Sequence, residues 1–172
     1  RRGPSEVDAE LLRRLRVAGV TSTFEDLVRS ASAGASRLTE IELERHLPDA
    51  VRRKLAQHAP PTVRVPSGRD VRLEYRDDDR VVAAVKLQEL FGLADTPRIG
   101  PARTPVTFEL LAPNGRPVQV TSDLKSFWKR GYPEVRRELR ARYPKHPWPE
   151  DPWSAPPTAK SRPKAKGQRP KR

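Results

Sequence analysis

Hydrophobic residues recur every three or four positions over the first third of the chain, and this spacing predicts helices. Ser5 and Thr23 are candidate N-caps of the first two helices, because each precedes acidic residues and an apolar stripe. A third helix is predicted at 38–46, and Pro48 begins a fourth. We therefore predict a helical segment over residues 1–58, typical of part of a helical bundle.

Further along the chain the hydrophobic positions alternate, which predicts strands. Turn residues at 66–68 and 113–115 indicate two hairpins, and between them a strand is predicted at 80–86, then a short helix at 87–91. A Pro-rich loop is predicted at 96–105. The order of elements predicts a small five-stranded antiparallel sheet in an α+β fold, and it is compatible with an OB-type barrel.

Helical spacing then returns and predicts two C-terminal helices that are separated at Gly131, with Pro133 in the first turn of the second. The candidate N-caps of the first of these helices are two hydroxyl residues, Thr121 and Ser122. Phe127 and Trp128 share one face of this helix. Their rings could stack on bases, but their helical spacing with other apolar residues favours a place in the core.

Residues 143–152, which we call the strap, are dense in proline and contain Tyr143 and Trp148. Such a composition favours an extended path. Trp148 would then pin the strap to the globular part of the protein, because a tryptophan is unfavourable to leave exposed. The alternative is that the strap is a proline-rich ligand for another protein.

Beyond the strap, residues 158–172 contain basic residues and no acidic ones. A segment with so few apolar residues cannot offset the entropy of ordering it, which predicts a disordered basic tail. The chain is therefore divided into the helical segment at 1–58, an α+β domain at 59–157 that includes the strap, and the tail.

The composition narrows the possible chemistry. The chain has 172 residues, with 35 Lys and Arg against 22 Asp and Glu, for a net charge of +13. It has no Cys, which excludes disulfides, Cys-ligated zinc and thiol catalysis, and its 3 His are too few for a dedicated zinc site. No apolar run approaches the roughly 18 residues of a membrane helix, so we expect a soluble, cytoplasmic protein without a membrane partner. It also has no Met, so we expect a fragment of a longer protein.

Catalytic signatures are absent from the sequence. It contains no phosphate-binding G-x-x-x-x-G-K-[ST] loop, no H-E-x-x-H helix, no G-x-S-x-G elbow and no G-x-G-x-x-G turn. The run Asp77-Asp78-Asp79 lacks the alternating ligand spacing of a calcium loop, and we interpret it as a solvated turn. We therefore assign no catalytic residue, no metal ligand and no cofactor to this chain.

Basic residues are the feature of the sequence that indicates a function. Six of them, on outward helix faces after the predicted sheet, are candidate nucleic-acid-binding residues: Lys125, Lys129, Arg130, Arg136, Arg137 and Arg140. A cationic face beside a flexible basic tail fits binding to a phosphate backbone, which is driven by counterion release. The alternative is that an Arg-rich protein simply places arginine on a solvated helix face.

Five stretches carry a resemblance to a known family. In chain order they are VPSGR at 65–69, VKLQELFG at 85–92, RPVQVT at 116–121, the pairs Asp123-Leu124 and Phe127-Trp128, and RYPKHPWPEDP at 142–152. Together they resemble the C-terminal domain of bacterial ATP-dependent helicases of the HrpB type, relatives of the DEAH/RHA group. The last stretch is the most specific, because many prolines and aromatic residues recur in a fixed order.

The resemblance implies a parent enzyme that hydrolyses ATP with Mg²⁺ and remodels nucleic acid, with RNA favoured over DNA. It also implies two RecA-like motor domains before Arg1 as partners of this region. The motifs that bind and hydrolyse ATP in that family are absent from this sequence, so no catalytic residue carries over.

Three functions remain open on the sequence. The first is a non-catalytic accessory region of an ATP-dependent helicase, which supports nucleic-acid binding or braces the motor. The second is a stand-alone basic module that binds nucleic acid without any motor. The third is a protein-interaction domain that uses the strap.

Overall fold

The computed structural model describes residues 4–33 and 42–158 of the chain. Its N-terminal helices are α1 (Glu6–Val17), α2 (Phe24–Ser32) and α3 (Asp49–His58), with a 3₁₀ turn at Leu43–His46. Of the helix predicted at 38–46, the described part forms only this turn, and 38–41 lie outside the described residues. Pro48 is the N-cap of α3. The tail predicted at 158–172 also lies outside the described residues, except for Thr158.

Both predicted N-terminal caps are confirmed. The Ser5 hydroxyl accepts a hydrogen bond from the Asp8 N–H at 3.3 Å, and the Asp8 carboxylate accepts one from the Ser5 N–H at 2.9 Å. Thr23 and Asp26 form the same reciprocal pair. Each capping box satisfies backbone N–H groups that have no partner within the helix, and it fixes where α1 and α2 begin.

The strands form two sheets. The hairpin predicted around 66–68 is present, with β1 (Thr62–Arg64) antiparallel to β2 (Asp70–Arg72), but it is a separate two-stranded ribbon. The larger sheet has five strands: β3 (Glu74–Tyr75), β4 (Val81–Lys86), β5 (Arg98–Ile99), β6 (Thr104–Leu111) and β7 (Pro117–Thr121). β5 lies inside the stretch predicted as a Pro-rich loop, and it is only two residues long.

The prediction of an antiparallel sheet is wrong at the centre of the larger sheet. β4 and β6 are parallel, in a register that pairs Val81 with Val106 and Lys86 with Leu111. Parallel strands need a long crossover, and residues 87–103 supply it through a 3₁₀ turn at Leu87–Leu90 and through β5. The described strands do not close on one another, so there is no OB-type barrel among them.

One hydrophobic core joins the helical segment to the sheet. Leu11 and Leu15 of α1 belong to the same buried cluster as Val81 of β4 and Phe108 of β6. Polar contacts reinforce this junction, since the Arg14 guanidinium donates to the Ala59 carbonyl at 3.0 Å. The regions 1–58 and 59–157 therefore share one core within the described residues.

The end of α1 also touches the crossover. Gly100 has a φ of +74°, and a Cβ there would lie 2.4 Å from the Val17 carbonyl oxygen. Only glycine allows the two backbones to approach so closely. The crossover is thus held against the helical segment.

The prediction of two C-terminal helices is wrong. Residues 124–142 form one continuous helix, which we call the C-terminal helix: α4 (Leu124–Ser126), a π-helical turn (Phe127–Gly131) and α5 (Tyr132–Arg142). Its N-cap is Asp123, whose carboxylate accepts from the Ser126 N–H at 3.0 Å, and neither Thr121 nor Ser122 caps it. Gly131 keeps a helical backbone, with φ −86° and ψ −40°.

Within 4–33 and 42–158, no helix has the length and apolar character that crossing a membrane would require.

Candidate nucleic-acid interface

An aromatic cluster packs against the buried face of the C-terminal helix. The Phe91 ring lies at the centre, with ring centroids 6.3 Å from Trp128, 6.1 Å from Tyr132 and 6.4 Å from Trp148. The pairs with Tyr132 and Trp148 are edge-to-face, and each such pair contributes about 0.5–1.5 kcal/mol beyond the area it buries. The prediction that Phe127 and Trp128 belong to the core is confirmed, since both are buried. Neither ring is therefore free to stack on a base.

The π-helical turn sets which residues face outward. The Tyr132 N–H donates to the Phe127 carbonyl, five residues back instead of four. The extra residue in this turn lets Phe127, Trp128 and Tyr132 all point into the core. Lys129 and Arg130, between them, are exposed.

Gly131 provides the space for this arrangement. A Cβ at position 131 would lie 2.8 Å from Cδ2 of the Phe127 ring, well inside van der Waals contact. The glycine that the sequence suggests as a helix breaker is thus a packing residue inside a helix.

The structure places five of the six candidate residues together as exposed cations on the C-terminal helix: Lys125, Lys129, Arg130, Arg137 and Arg140. No carboxylate of the described residues lies within ion-pair distance of these five side chains. Two of these cations act on the carboxylate of Asp123, the N-cap of the helix. Hydrogen bonds from Ser126 hold the pKa of its carboxyl below the ordinary value, and the charges of Lys125 and Arg130 add to this effect.

The sixth candidate, Arg136, is engaged inside the protein. Its side chain is half-buried, its Nε donates to the Trp148 carbonyl at 2.8 Å, and its Nη2 lies 3.5 Å from the Glu150 carboxylate. Arg136 therefore fixes the strap to α5. The sequence could not separate Arg136 from Arg137, because both follow the same basic pattern.

Charge pairing differs sharply between the two halves of the described chain. Apart from Arg53, every arginine described before residue 81 forms an ion pair with a carboxylate: Arg13, Arg14, Arg16, Arg29, Arg45, Arg52, Arg64, Arg69, Arg72, Arg76 and Arg80. Among arginines described after that point, Arg136 alone does so. The same pairing explains the carboxylate run, since Asp77, Asp78 and Asp79 bind Arg13, Arg80 and Arg16 respectively.

The unpaired set extends beyond the predicted residues. Arg142 and Lys145, at the end of α5 and the start of the strap, are exposed and have no carboxylate partner in the described part of the chain. Both residues belong to the same basic run of the sequence as the six candidates.

The strap is pinned as the first of its two interpretations predicts. Trp148 is 7% exposed, and its indole Nε1 donates to the Tyr143 carbonyl at 2.8 Å. The Tyr132 hydroxyl donates to the Pro149 carbonyl at 2.7 Å, and burial raises the pKa of Tyr132. Burial and the charge of Lys86 lower the pKa of His146, whose ring lies between those of Tyr143 and Trp148.

An ion pair with a buried carboxylate connects two of the stretches that carry the family resemblance. The Glu89 carboxylate accepts from Nε and Nη2 of Arg69 at 2.8 Å each, and from the Ser67 hydroxyl at 3.0 Å. Burial alone would raise the pKa of Glu89, but these hydrogen bonds outweigh it and hold the pKa below its ordinary value. The pair joins the β1–β2 turn to the crossover, and its role is structural.

The described residues lack the side-chain groups of a metal site. No group of three His, Cys, Asp or Glu side chains among them could hold a metal ion. The glycines with positive φ at 68, 92 and 115 each make a single turn, and none belongs to a Gly-rich loop that could cradle phosphates.

Comparison with known proteins gives concordant results. Residues 21–152 match the family HrpB_C, ATP-dependent helicase C-terminal. The ATP-dependent RNA helicase HrpB of Escherichia coli strain K12 is 41% identical over 112 residues, which cover 65% of this chain and 14% of that relative.

Two solved structures share the fold. The crystal structure of the E. coli DExH-box NTPase HrpB matches with a TM-score of 0.77 and 31% identity, over 90% of this chain and 22% of that one. The crystal structure of the Escherichia coli DEAH/RHA helicase HrpB matches with a TM-score of 0.62 and 30% identity, over 84% of this chain and 21% of that one. The chain thus spans less than a quarter of each relative. Since the family match covers most of its residues, the chain belongs to the HrpB_C family of ATP-dependent helicase C-terminal domains.

Proposed function

We propose that this domain is the accessory region of an ATP-dependent helicase that holds nucleic acid on its C-terminal helix. The observation that carries the proposal is the difference in charge pairing. Apart from Arg53, the described arginines before residue 81 are paired with carboxylates, whereas Lys125, Lys129, Arg130, Arg137 and Arg140 are exposed and unpaired within the described residues. A cation without an internal partner can bind a phosphate without first breaking an ion pair.

The rigidity of the helix supports this proposal. The aromatic cluster, the π-helical turn and the Arg136 contact with the strap fix the orientation of the helix. Cations on a fixed scaffold lose less conformational freedom when they bind phosphates than cations on a loop. Phosphate contacts of this kind position a strand and do not read its sequence. We propose RNA over DNA, and the name of the E. coli relative, an RNA helicase, supports that choice.

ATP and Mg²⁺ belong, in this proposal, to motor domains outside this chain. The residues present do not fit the nucleotide, because the sequence has no phosphate-binding loop and the described glycines form isolated turns. No step of ATP hydrolysis is assigned to this chain.

The test is the salt dependence of binding to a single-stranded oligonucleotide. The variant changes Lys125, Lys129, Arg130, Arg137 and Arg140 to Gln. For single strands, each phosphate contact contributes about 0.7 to the slope of log K against log salt, so the slope should become less steep by up to about 3.5.

The matched control removes the same charge from exposed arginines that are already paired: Arg29, Arg45, Arg52, Arg64 and Arg72 to Gln. Its slope should stay close to that of the unchanged chain. An equal loss in both variants would show that net charge alone drives binding, and would contradict the proposed site.

A second role, bracing the motor, is favoured by the outer face of the larger sheet. Ala84, Glu109 and Val120 are register partners, so they point to the same side. Val120 is 56% exposed, and Val82, two residues before Ala84, is buried but lies outside the core cluster. A face with Val82, Ala84 and Val120 around Glu109 can pack against another domain.

Val120→Lys tests the bracing role. It should lower the unfolding temperature of a parent helicase and leave that of the 172-residue chain unchanged. The same shift in both proteins would mean that the face is not an interface with the motor.

A further inference from the structure

Trp153 differs from the other two tryptophans of the chain. Trp128 and Trp148 are 2% and 7% exposed, and their indole N–H groups donate to the Leu93 and Tyr143 carbonyls. Trp153 is 44% exposed, and no acceptor for its indole N–H is found among the described residues. A large aromatic ring left in solvent with its polar atom unpaired serves neither the core nor the local hydrogen bonding.

The backbone on both sides of Trp153 is held in place. The Gly92 N–H donates to the Pro152 carbonyl at 2.8 Å, and the Ser154 hydroxyl donates to the Asp151 carboxylate at 2.7 Å. Further on, the Thr158 N–H donates to the Gln88 carbonyl at 3.0 Å. Because these contacts fix the main chain, the indole is presented in a defined place and little entropy remains to be lost when a ligand covers it.

Cations lie on the helix that packs against the strap. Arg136 contacts the backbone of Trp148 and the side chain of Glu150, three residues before Trp153. Arg140 lies one helical turn further along α5 from Arg136, on the same side of the helix. Of the two acidic residues closest to Trp153 in the chain, Glu150 lies 3.5 Å from Arg136, and Asp151 accepts a hydrogen bond from the Ser154 hydroxyl.

A protein partner is less consistent with this surface. Large contiguous apolar patches mark sites where proteins dock. Beside Trp153, Pro152 is buried, whereas Asp151 and Ser154 are exposed and polar. A single exposed ring suits a base, because every base offers a flat face for stacking and a charged backbone beside it.

From these observations we infer that Trp153 is a stacking platform for an unpaired base of a single strand whose phosphates lie on the C-terminal helix. This inference rests on the proposed function. It restricts the substrate to single-stranded nucleic acid, since bases in a duplex are stacked on one another and do not present a free face.

The test compares two probes of equal charge, a short oligouridine and an abasic oligonucleotide of the same length. Stacking on one base contributes about 1–3 kcal/mol, so Trp153→Ala should bind oligouridine roughly 5- to 150-fold more weakly. Its affinity for the abasic strand should not change. The salt slope should also stay the same for both strands, because no phosphate contact is lost.

Trp153→Phe and Val7→Ala complete the design. Trp153→Phe should keep most of the affinity, since a phenyl ring can still stack, but it should lose the quenching of tryptophan fluorescence by oligouridine. Val7→Ala removes an exposed aliphatic side chain and should leave both affinities unchanged. Equal unfolding temperatures of all variants would show that the fold is intact.

The outcomes separate the inference from the proposed function. If the unchanged chain binds oligouridine and Trp153→Ala binds it equally well, the inference is overturned and the proposed function stands. Equal losses on both probes overturn it too, because stacking cannot act on an abasic strand. If Trp153→Ala keeps both affinities but sediments differently from the unchanged chain, Trp153 contacts another protein copy and the inference is overturned. If the unchanged chain binds neither probe, the proposed function and the inference both fail.

Discussion

At the scale of single residues, the buried Glu89 carboxylate shows how a charge can be stabilised in the core. Its side chain is 3% exposed, whereas that of its partner Arg69 is 51% exposed. Neither the buried carboxylate nor its partner could be predicted from the sequence. The stretches VPSGR and VKLQELFG show the two residues, but only the fold brings the β1–β2 turn to the crossover.

Arg69→Ala should lower the free energy of unfolding by about 2 kcal/mol, because it leaves the Glu89 carboxylate buried and unpaired. The effect stays below the roughly 3–5 kcal/mol typical of a fully buried pair, since Arg69 is half exposed. Urea denaturation measures it. The control is Arg72→Ala, which breaks an exposed pair with Glu10 and should cost less than about 1 kcal/mol. If both variants lose the same free energy of unfolding, the Glu89 carboxylate is not the buried partner that we describe.

His146 should make the protein less stable as the pH falls. Its pKa in the folded state lies below the ordinary 6.5, because burial and the charge of Lys86 disfavour the imidazolium. The unfolded chain therefore binds the proton first, and stability is lost as the pH falls from 6.5 towards the lowered folded pKa. His146→Gln should remove this part of the slope in urea denaturation at a series of pH values. A slope that survives unchanged in this variant would assign the effect to another group.

At the scale of elements, the C-terminal helix shows where local signals mislead. Glycine and proline two positions apart indicate a helix boundary, yet the helix continues through Gly131 and Pro133. The reason is tertiary: the π-helical turn lets three aromatic rings reach the core together, and the energy of that packing exceeds the local preference for a break. The caps at Ser5 and Thr23 were predictable because a capping box lies entirely within four residues.

Gly131→Ala should destabilise the protein, contrary to the usual effect of this change in a helix. At an ordinary helical site alanine stabilises by about 1 kcal/mol relative to glycine. Here the added Cβ would meet the Phe127 ring at 2.8 Å, and overpacking of this kind costs about 1–3 kcal/mol. Thermal unfolding measures the difference. In a Phe127→Leu background, where the ring is gone, the same change should cost less or become favourable, and an unchanged cost there would exclude the clash as the cause.

At the scale of the whole molecule, the α+β character and the strap were predictable, whereas the topology was not. Alternation of apolar residues predicts strands but not their order or direction. The parallel pair β4–β6 and the separate ribbon β1–β2 could therefore not be predicted from the sequence. The same limit applies to the candidate interface. Exposure of its cations follows from helical spacing, but only the fold shows that Arg136 binds the strap while its neighbour Arg137 does not.

Trp148→Ala should destabilise the whole molecule by about 3–5 kcal/mol, the range for removing a buried tryptophan ring. Trp148 contacts Phe91 and closes the aromatic cluster, so the strap should also become sensitive to limited proteolysis. Trp153→Ala is the matched control, because its exposed ring should cost less than about 1 kcal/mol. Comparable losses in the two variants would show that the strap is not pinned by Trp148.

The strap also has a consequence for the timing of folding during synthesis. Phe91 lies at the centre of the aromatic cluster, but Trp148, its last aromatic neighbour, is added by the ribosome more than fifty residues later. Until the strap has emerged, one side of that cluster faces water, and exposed apolar surface on a nascent chain attracts chaperones and aggregates. The core of this domain is therefore complete only after the strap has been translated, so the strap ends the period in which this apolar surface is exposed.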